Sequence, residues 1–113
     1  SNVVVTVMNE GEQALAYLRD CNSQSREVPV LVLLDINLPG KNGIEVLKEI
    51  KGDRKLKVLP VIIMTSSNRT QDVINTYESF GNAFVHKSVS YTEFKEQLSS
   101  LSNFWFETCS LPA

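Results

Sequence analysis

Four short apolar runs, separated by longer segments with helical periodicity, constrain the fold of this chain more than any other sequence feature. Each run is rich in β-branched or other apolar side chains, which is typical of strands buried on both faces. The runs cover residues 3–7, 30–34, 61–64 and 83–86. A strand followed by a helix, repeated with short connections, predicts an α/β fold with a parallel sheet and right-handed crossovers.

Helix start signals lie in the segments between and after these runs. Each signal is an Asn or Ser followed three residues later by Glu or Gln, which is the pattern of a capping box. The pairs are Asn9 with Glu12, Asn42 with Glu45, Asn68 with Gln71, and Ser90 with Glu93. We therefore predict a helix after each strand, and a loop over the polar residues 20–27.

Apolar residues at helical spacing predict which face of each helix is buried. In the second helix these residues are Val46, Leu47 and Ile50, and residues 52–55 are expected to break the helix. In the third helix they are Val73, Ile74, Tyr77 and Phe80, and Gly81 is expected to end the helix as its C′ glycine. In the last helix they are Phe94, Leu98, Leu101 and Trp105.

Composition narrows the class of protein. The chain has 113 residues, which suits one domain spanning residues 1–113. Its net charge of -2 gives no reason to expect nucleic acid or a membrane surface as a partner. Cys21 and Cys109 form no C-x-x-C pair, so we expect reduced thiols without a metal. No stretch has the length of a membrane span or the pattern of a secretory signal, and we expect a cytoplasmic protein.

Three polar residues directly follow the last three apolar runs. Asp35 follows the second run, Thr65 the third, and Lys87 the fourth. Because the carboxyl ends of parallel strands meet at one edge of the sheet, their side chains should converge there. Taken singly, each has an ordinary structural explanation: Asp35 as a turn former, Thr65 as a strand residue and Lys87 as a solvated charge. Their joint spacing favours a functional site.

This pattern resembles the receiver domains of response regulators in two-component signalling, over essentially the whole chain. The resemblance rests on residues 33–39, on Gly43 at the start of the next helix, and on residues 64–67 and 84–87. It implies a flavodoxin-like parallel sheet, with Asp35 as the phosphoacceptor for a sensor histidine kinase. It further implies that Thr65 donates its hydroxyl to the phosphoryl group and that Lys87 neutralises its charge.

The same resemblance implies a conformational switch and an output surface. Movement of Thr65 toward the phosphoryl group would open space for the aromatic ring of Phe84, so these two residues are the candidate switch. The output surface would lie within residues 68–106. His86, the only histidine, is expected to be a structural strand residue facing away from Lys87.

A narrower resemblance is to the single-domain receivers that partner phytochrome-type sensor kinases. It rests on residues 14–18 and on the aromatic tail at residues 103–106 with residues 111–112. It implies a phytochrome-type kinase as the partner. The tail either folds back onto its own core or forms a homodimer contact through aromatic anchors such as Trp105.

The chain departs from the receiver pattern at its start. The family begins with a strand ending in two acidic residues and a following helix, and residues 3–7 match the family's second strand instead. In the family the acidic pair helps to hold Mg²⁺, for which this chain offers Asp35 and, by analogy, the backbone carbonyl of Asn37. Three explanations stay open: a fragment of a longer receiver, a homodimer whose copies cover each other's gap, and a degenerate receiver with a rearranged sheet.

A second departure is Ser88, where the family has a proline in a cis peptide. A cis bond before a non-proline residue is costly, so the loop is either strained or trans with Lys87 shifted.

The leading hypothesis is therefore a phosphoacceptor receiver rather than an enzyme. One alternative is a receiver that works only through protein contacts. The other is a phosphatase of the haloacid-dehalogenase type, which sets a nucleophilic Asp, a Thr or Ser and a Lys at strand ends. Such enzymes need an acid two residues after the nucleophile, where this chain has Asn37, which cannot donate a proton as a general acid.

Overall fold

A computed structural model of the chain describes residues 10–23, 31–67 and 69–111. These residues form a parallel sheet with strand order β1-β2-β3, flanked by helices. The elements are α1 Gly11–Ser23, β1 Val32–Leu34, α2 Gly43–Gly52, a 3-10 turn Leu56–Val58, β2 Val61–Thr65, α3 Thr70–Glu78, β3 Ala83–His86, α4 Tyr91–Ser102 and a π-helical turn Asn103–Thr108. The predicted α/β class with a parallel sheet is confirmed. The predicted strand at residues 3–7 and the Asn9 cap lie outside the described residues.

Strand β2 lies at the centre of the described sheet, and all five of its residues are buried. Its register pairs Val61 with Val32 of β1 and Thr65 with His86 of β3. Since all the pairings are parallel, the three strands end at the same edge. That edge carries the residues singled out by the sequence.

The core lies between one face of the sheet and helices α1 and α2. It combines buried side chains from both layers, namely Leu15, Leu18, Leu34, Val46, Leu47, Ile50, Val61 and Ile63. Asn42 and Glu45 form the predicted capping box at the start of α2, each side chain bonding the other's backbone N–H. The capping box and the buried apolar stripe together fix the position of α2 after the loop that follows β1.

The structure confirms the predicted end of α2 and contradicts the predicted end of α1. Helix α2 ends at Gly52, as the break at residues 52–55 predicts, and the Asp53 carboxylate then accepts the N–H groups of Lys55 and Leu56. The loop predicted from residue 20 onward is wrong in its first part, because α1 continues to Ser23. Cys21, three residues after Leu18, extends the buried stripe and is only 1% exposed. Burial of this small apolar side chain stabilises the last turn despite its polar neighbours.

The buried face predicted for α3 is also wrong. Ile74, Tyr77 and Phe80 are exposed, whereas Asp72 and Thr76 are buried. The buried polar groups have partners, since the Thr76 hydroxyl donates to the Asp72 carbonyl at 2.8 Å. The N-cap is Arg69, whose side chain makes no capping bond, and the predicted cap Asn68 lies outside the described residues.

Helix α3 ends in a Schellman motif whose left-handed residue is Phe80, not Gly81. Phe80 has φ of 69°. The N–H of Gly81 donates to the Thr76 carbonyl at 2.8 Å, and the N–H of Phe80 to the Tyr77 carbonyl at 3.0 Å. Gly81 is required for space, because a Cβ there would lie 2.6 Å from Cγ2 of Thr76.

Helix α4 begins at the predicted cap, where Ser90 accepts the Glu93 N–H. The predicted buried stripe along the helix is not fully covered: α4 contains no buried residue, and Phe94, Leu98 and Leu101 are half-buried. The helix changes to π-helical geometry at Asn103, so Trp105 belongs to a separate turn. In the described part of the chain, no helix has the length and apolar character needed to cross a membrane.

Candidate functional site

Asp35 is the first residue after β1, at the carboxyl edge of the sheet. Its Oδ1 atom accepts the backbone N–H of Asn37 at 2.9 Å, which orients the carboxylate. The side chain is 35% exposed, so the carboxyl group is partly accessible from solvent. An oriented and accessible carboxylate is suited to attack a phosphorus atom or to bind a hard cation.

Gly43, at the start of α2, packs against the backbone of Asp35. Its N–H donates to the Ile36 carbonyl at 3.0 Å. A Cβ at Gly43 would lie 2.2 Å from the carbonyl oxygen of Asp35, which is too close for two non-bonded heavy atoms. The absence of a side chain therefore allows the helix start to lie directly against the backbone of Asp35.

Lys87 lies opposite Asp35, one residue after β3 ends. Its Nζ atom is 4.0 Å from Oδ2 of Asp35, and its side chain is 42% exposed. The same ammonium group lies over the ring of Phe94 on α4, 5.4 Å from the centroid. The structure therefore brings together a carboxylate and a cation that are distant in sequence, as the spacing predicts.

Thr65 is the last residue of β2 and is fully buried. Its carbonyl accepts the Lys87 N–H at 2.7 Å, which joins the ends of β2 and β3 directly. Its hydroxyl oxygen accepts a long bond from the N–H of Ser67, at 3.4 Å. The three predicted site residues thus end three neighbouring strands, with Thr65 held between the other two.

Phe84, the candidate aromatic switch, is half-buried on β3 and packs against the core. Its N–H donates to the hydroxyl of Tyr77 on α3 at 3.2 Å. His86, on the same strand, is exposed, and its Nε2 atom lies 3.1 Å from the carbonyl oxygen of Ser66. Phe84 therefore contacts α3, and His86 contacts the segment that follows β2.

Sequence reasoning missed a cluster around Asp72 that holds the segment after Thr65. The Ser67 hydroxyl donates to the Asp72 carboxylate, and Arg69 Nε donates to the same oxygen at 3.1 Å. The Ser67 hydrogen bond, with a smaller contribution from Arg69, keeps the pKa of Asp72 below its ordinary value, although desolvation opposes this. An acid in the first turn of a helix, preceded by Ser, is the sequence signal that indicates such an anchor.

Sequence reasoning also missed an ion cluster beside the loop that follows Asp35. Lys41 pairs with Glu49 on α2 and with Glu12 on α1, the latter at 3.1 Å. Hydrogen bonds to Glu49 and then Glu12 raise the pKa of Lys41. A Cβ at Gly11 would lie 2.5 Å from the Lys41 carbonyl oxygen, so the start of α1 packs against this loop. These contacts connect both helices to the loop that carries Asn37.

Asp35 supplies a carboxylate at this edge that could bind a cation. No group of three or more His, Cys, Asp or Glu residues in the described ranges is placed to hold a metal ion. Mg²⁺ commonly takes one or two protein carboxylates and completes its shell with water and phosphate oxygens. The partly accessible carboxylate of Asp35 fits that mode of binding.

The chain is similar to known proteins along most of its length. The family model of the response regulator receiver domain matches residues 1–99. Response regulator Rcp1 of Synechocystis sp. is 38% identical over 108 residues, which cover 95% of this chain and 74% of that protein. The chain therefore spans about three quarters of the length of this relative.

Two solved structures resemble the chain closely. The phosphorylated cyanobacterial phytochrome response regulator RcpA aligns with a TM-score of 0.91 and 35% identity, covering 96% of this chain and 79% of that chain. The Mn(2+)-bound form of Rcp1 aligns with a TM-score of 0.88 and 38% identity, covering 96% of this chain and 78% of that chain. The predicted flavodoxin-like fold, with a parallel sheet and flanking helices, is confirmed.

Proposed function

Because the chain belongs to the response regulator receiver domain family, we propose that it is phosphorylated on Asp35 by a sensor histidine kinase. The observation that carries this proposal is the approach of Lys87 Nζ to within 4.0 Å of the Asp35 carboxylate at the carboxyl edge of the sheet. A cation at that distance stabilises the negative charge that phosphoryl transfer brings to the site.

The proposed reaction is a displacement at phosphorus. A carboxylate oxygen of Asp35 forms a bond to the phosphorus of a phosphohistidine, the phosphorus–nitrogen bond breaks, and the released imidazole takes up a proton. The product is an acyl phosphate on Asp35. Lys87 neutralises the phosphoryl oxygens, and Thr65 donates its hydroxyl to one of them.

Mg²⁺ is the proposed cofactor. The Asp35 carboxylate and the backbone carbonyl of Asn37 would hold it, with water and phosphoryl oxygens as further ligands. The ion would neutralise charge on the transferred group. The Mn(2+)-bound form of Rcp1 supports this part of the proposal.

The proposed output is a change in the surface formed by α3, β3 and α4. Thr65 would move toward the phosphoryl group, and the half-buried ring of Phe84 would turn in response. The Phe84 N–H donates to the Tyr77 hydroxyl at 3.2 Å, and through this bond a movement of β3 would shift α3.

The proposed upstream partner is a phytochrome-type sensor kinase, supported by the likeness to the cyanobacterial phytochrome response regulator RcpA. We further propose a homodimer formed through α4 and the aromatic turn that follows it. Nucleic acid is not among the proposed partners. The chain would act as a relay between proteins.

The test measures the intact mass of the purified protein after incubation with Mg²⁺ and acetyl phosphate. We expect the parent to gain one phosphoryl group and Asp35→Asn to gain none. Lys87→Ala should react about 100-fold more slowly, because it removes a charge that stabilises the transition state. Lys95→Ala is the matched control, since Lys95 Nζ also lies over a ring, 5.3 Å from the Tyr91 centroid, and has no assigned role at Asp35.

A parent that gains no phosphoryl group would contradict the proposal and favour a receiver that acts only through protein contacts. Steady release of alcohol from a generic phosphate ester would favour the phosphatase alternative instead. Equal rates for Lys87→Ala and Lys95→Ala would remove Lys87 from the proposed mechanism.

A further inference from the structure

The side-chain amide of Gln97, on α4, binds the backbone on both sides of Lys87. Its Nε2 atom donates to the His86 carbonyl at 2.7 Å. Its Oε1 atom accepts the Ser88 N–H at 3.0 Å. A side-chain amide offers one donor and one acceptor on the same plane, so Gln97 pairs with this segment as a neighbouring strand would.

The backbone of Lys87 is held from the opposite side by β2. Its N–H donates to the Thr65 carbonyl at 2.7 Å. Along residues 86–88 these hydrogen bonds alternate between the two sides of the segment, as they do on the two edges of a strand. His86 and Ser88 bond Gln97 on one side, and Lys87 bonds Thr65 on the other. The segment therefore has a fixed backbone even though β3 ends at His86.

The backbone N–H of Ser88 is the donor that pairs with the side-chain oxygen of Gln97. No cis peptide occurs among the described residues, so the Lys87–Ser88 bond is trans. The Ser88 hydroxyl donates to Glu93 at 2.8 Å and accepts the Ser90 N–H at 3.2 Å. Its backbone N–H has Gln97 as its acceptor, and a proline at position 88 would have no N–H to satisfy.

Helix α4 also contacts the side chain of Lys87. Phe94 and Gln97 are three residues apart and therefore lie on the same face of the helix. Lys87 Nζ lies 5.4 Å from the centroid of the Phe94 ring and 4.0 Å from Oδ2 of Asp35. One face of α4 thus holds both the backbone and the ammonium group of the residue that faces the carboxylate.

We infer that Gln97 is a positioning residue that holds Lys87 in reach of Asp35 by pairing with the backbone at His86 and Ser88. This inference rests on the proposed function for its effect on phosphorylation. The backbone pairing itself does not depend on that function. The two hydrogen bonds of the Gln97 amide go to backbone atoms on either side of Lys87, so the proposed effect on Asp35 passes through Lys87.

The test replaces Gln97 by methionine, which has a similar shape and helix propensity but cannot make either hydrogen bond. Gln71→Met is the matched control, because the Gln71 amide donates only to Asn75 on the exposed face of α3, at 2.8 Å. Three readouts are compared: the rate constant for phosphorylation by acetyl phosphate, the solvent-exchange rate of the Ser88 amide, and the NMR shifts of the Lys87 methylene protons.

In Gln97→Met we expect the phosphorylation rate constant to fall about tenfold, with the half-saturating donor concentration unchanged, since one net hydrogen bond corresponds to about that factor. The Ser88 amide should exchange with solvent about tenfold faster for the same reason. The Lys87 methylene protons should lose the upfield shift caused by the Phe94 ring. Gln71→Met should match the parent in all three measurements.

Two further variants extend the test, and the first of them keeps the inference falsifiable if Gln97→Met does not fold. Gln97→Glu retains an acceptor for the Ser88 N–H but no donor for His86, and should keep the Ser88 amide protected. Adding Ser88→Pro to Gln97→Met removes the N–H that needs an acceptor, and should restore part of the lost rate.

Unchanged Lys87 proton shifts in Gln97→Met would overturn the inference, whatever the phosphorylation rate. An unchanged rate with a faster Ser88 exchange would also overturn it and leave Gln97 a purely structural residue. If the parent itself is not phosphorylated, the proposed function fails, while the Lys87 shifts still decide the inference.

Discussion

At the scale of single residues, the backbones of Gly43 and Asp35 are in contact. A substitution at position 43 is therefore expected to change both the free energy of unfolding and the position of Asp35. Any side chain at position 43 would meet the Asp35 carbonyl oxygen at 2.2 Å and the Ile36 Cα at 3.0 Å. Both obstacles are backbone atoms of the loop that carries the proposed phosphoacceptor. Since backbone atoms cannot rotate away, a substitution must shift either the loop or the start of α2.

We expect Gly43→Ala to lower the free energy of unfolding by about 1–3 kcal/mol, the usual cost of overpacking, and to slow phosphorylation of Asp35. Urea denaturation and the acetyl phosphate assay measure the two effects. Gly52→Ala is the matched control, because a Cβ at Gly52, the last residue of the same helix, would meet no atom within 4 Å. It should change stability by no more than about 1 kcal/mol, in the stabilising direction. Equal effects of the two substitutions would show that the contact with Asp35 is unimportant.

At the scale of elements, α3 is the helix whose packing departs most from its sequence pattern. It buries Asp72 and Thr76 and exposes Ile74 and Tyr77. Local hydrogen bonds satisfy the buried polar pair: Asp72 binds Ser67 in the segment after β2, and the Thr76 hydroxyl binds the Asp72 carbonyl. Its end is strained: Phe80 adopts φ of 69° while its side chain is 75% exposed. The exposed ring contributes little burial to offset the left-handed conformation.

We expect Phe80→Gly to be more stable than Phe80→Ala by up to about 1 kcal/mol, because only glycine adopts the left-handed conformation without a Cβ penalty. The alanine variant is the control, since it removes the same exposed ring and keeps the strain. The comparison is made by the midpoint of urea unfolding. An alanine variant as stable as the glycine variant would mean that the helix end relaxes out of the left-handed conformation.

At the scale of the whole molecule, the two sides of the described sheet differ in how they are covered. The side facing α1 and α2 holds the core, whereas Leu33 on β1 is 46% exposed and α4 contains no buried residue. Beyond α4, Phe104 and Trp105 form an edge-to-face pair with centroids 5.4 Å apart, and Phe104 is 50% exposed. A rigid aromatic pair of this kind is typical of interface anchors.

We expect Trp105→Ala to lower the fraction of homodimer measured by light scattering at a fixed protein concentration. The expected loss follows from the large contact area that a tryptophan supplies at an interface. Phe80→Ala is the control, because Phe80 is a 75% exposed aromatic at the end of α3, outside the proposed interface. A parent that is monomeric, or a Trp105→Ala variant that loses stability with its mass unchanged, would instead favour a tail that packs on its own core.

Much of the fold follows from signals that are local in sequence. The capping box of Asn42 and Glu45 and the break after Gly52 lie where the sequence places them, because caps and helix ends depend on residues within one turn. Strands β2 and β3 are also found as predicted, since strands buried in a parallel sheet have continuous apolar sequences with distinct ends. Asp35, Thr65 and Lys87 therefore stand out as polar residues at those ends.

Other features of the fold and of the site depend on contacts between segments that are distant in sequence, which local sequence patterns do not reveal. The sequence by itself placed an acid and a lysine at strand ends, but the 4.0 Å between them comes from the pairing of the strands. The Gln97 bridge spans nine residues to Ser88 and eleven to His86, and periodicity within α4 gives no indication of it. The exposed face of α3 was likewise mispredicted, because hydrophobic periodicity ranks side chains by polarity, whereas burial depends on which groups find hydrogen-bond partners when helix and sheet meet.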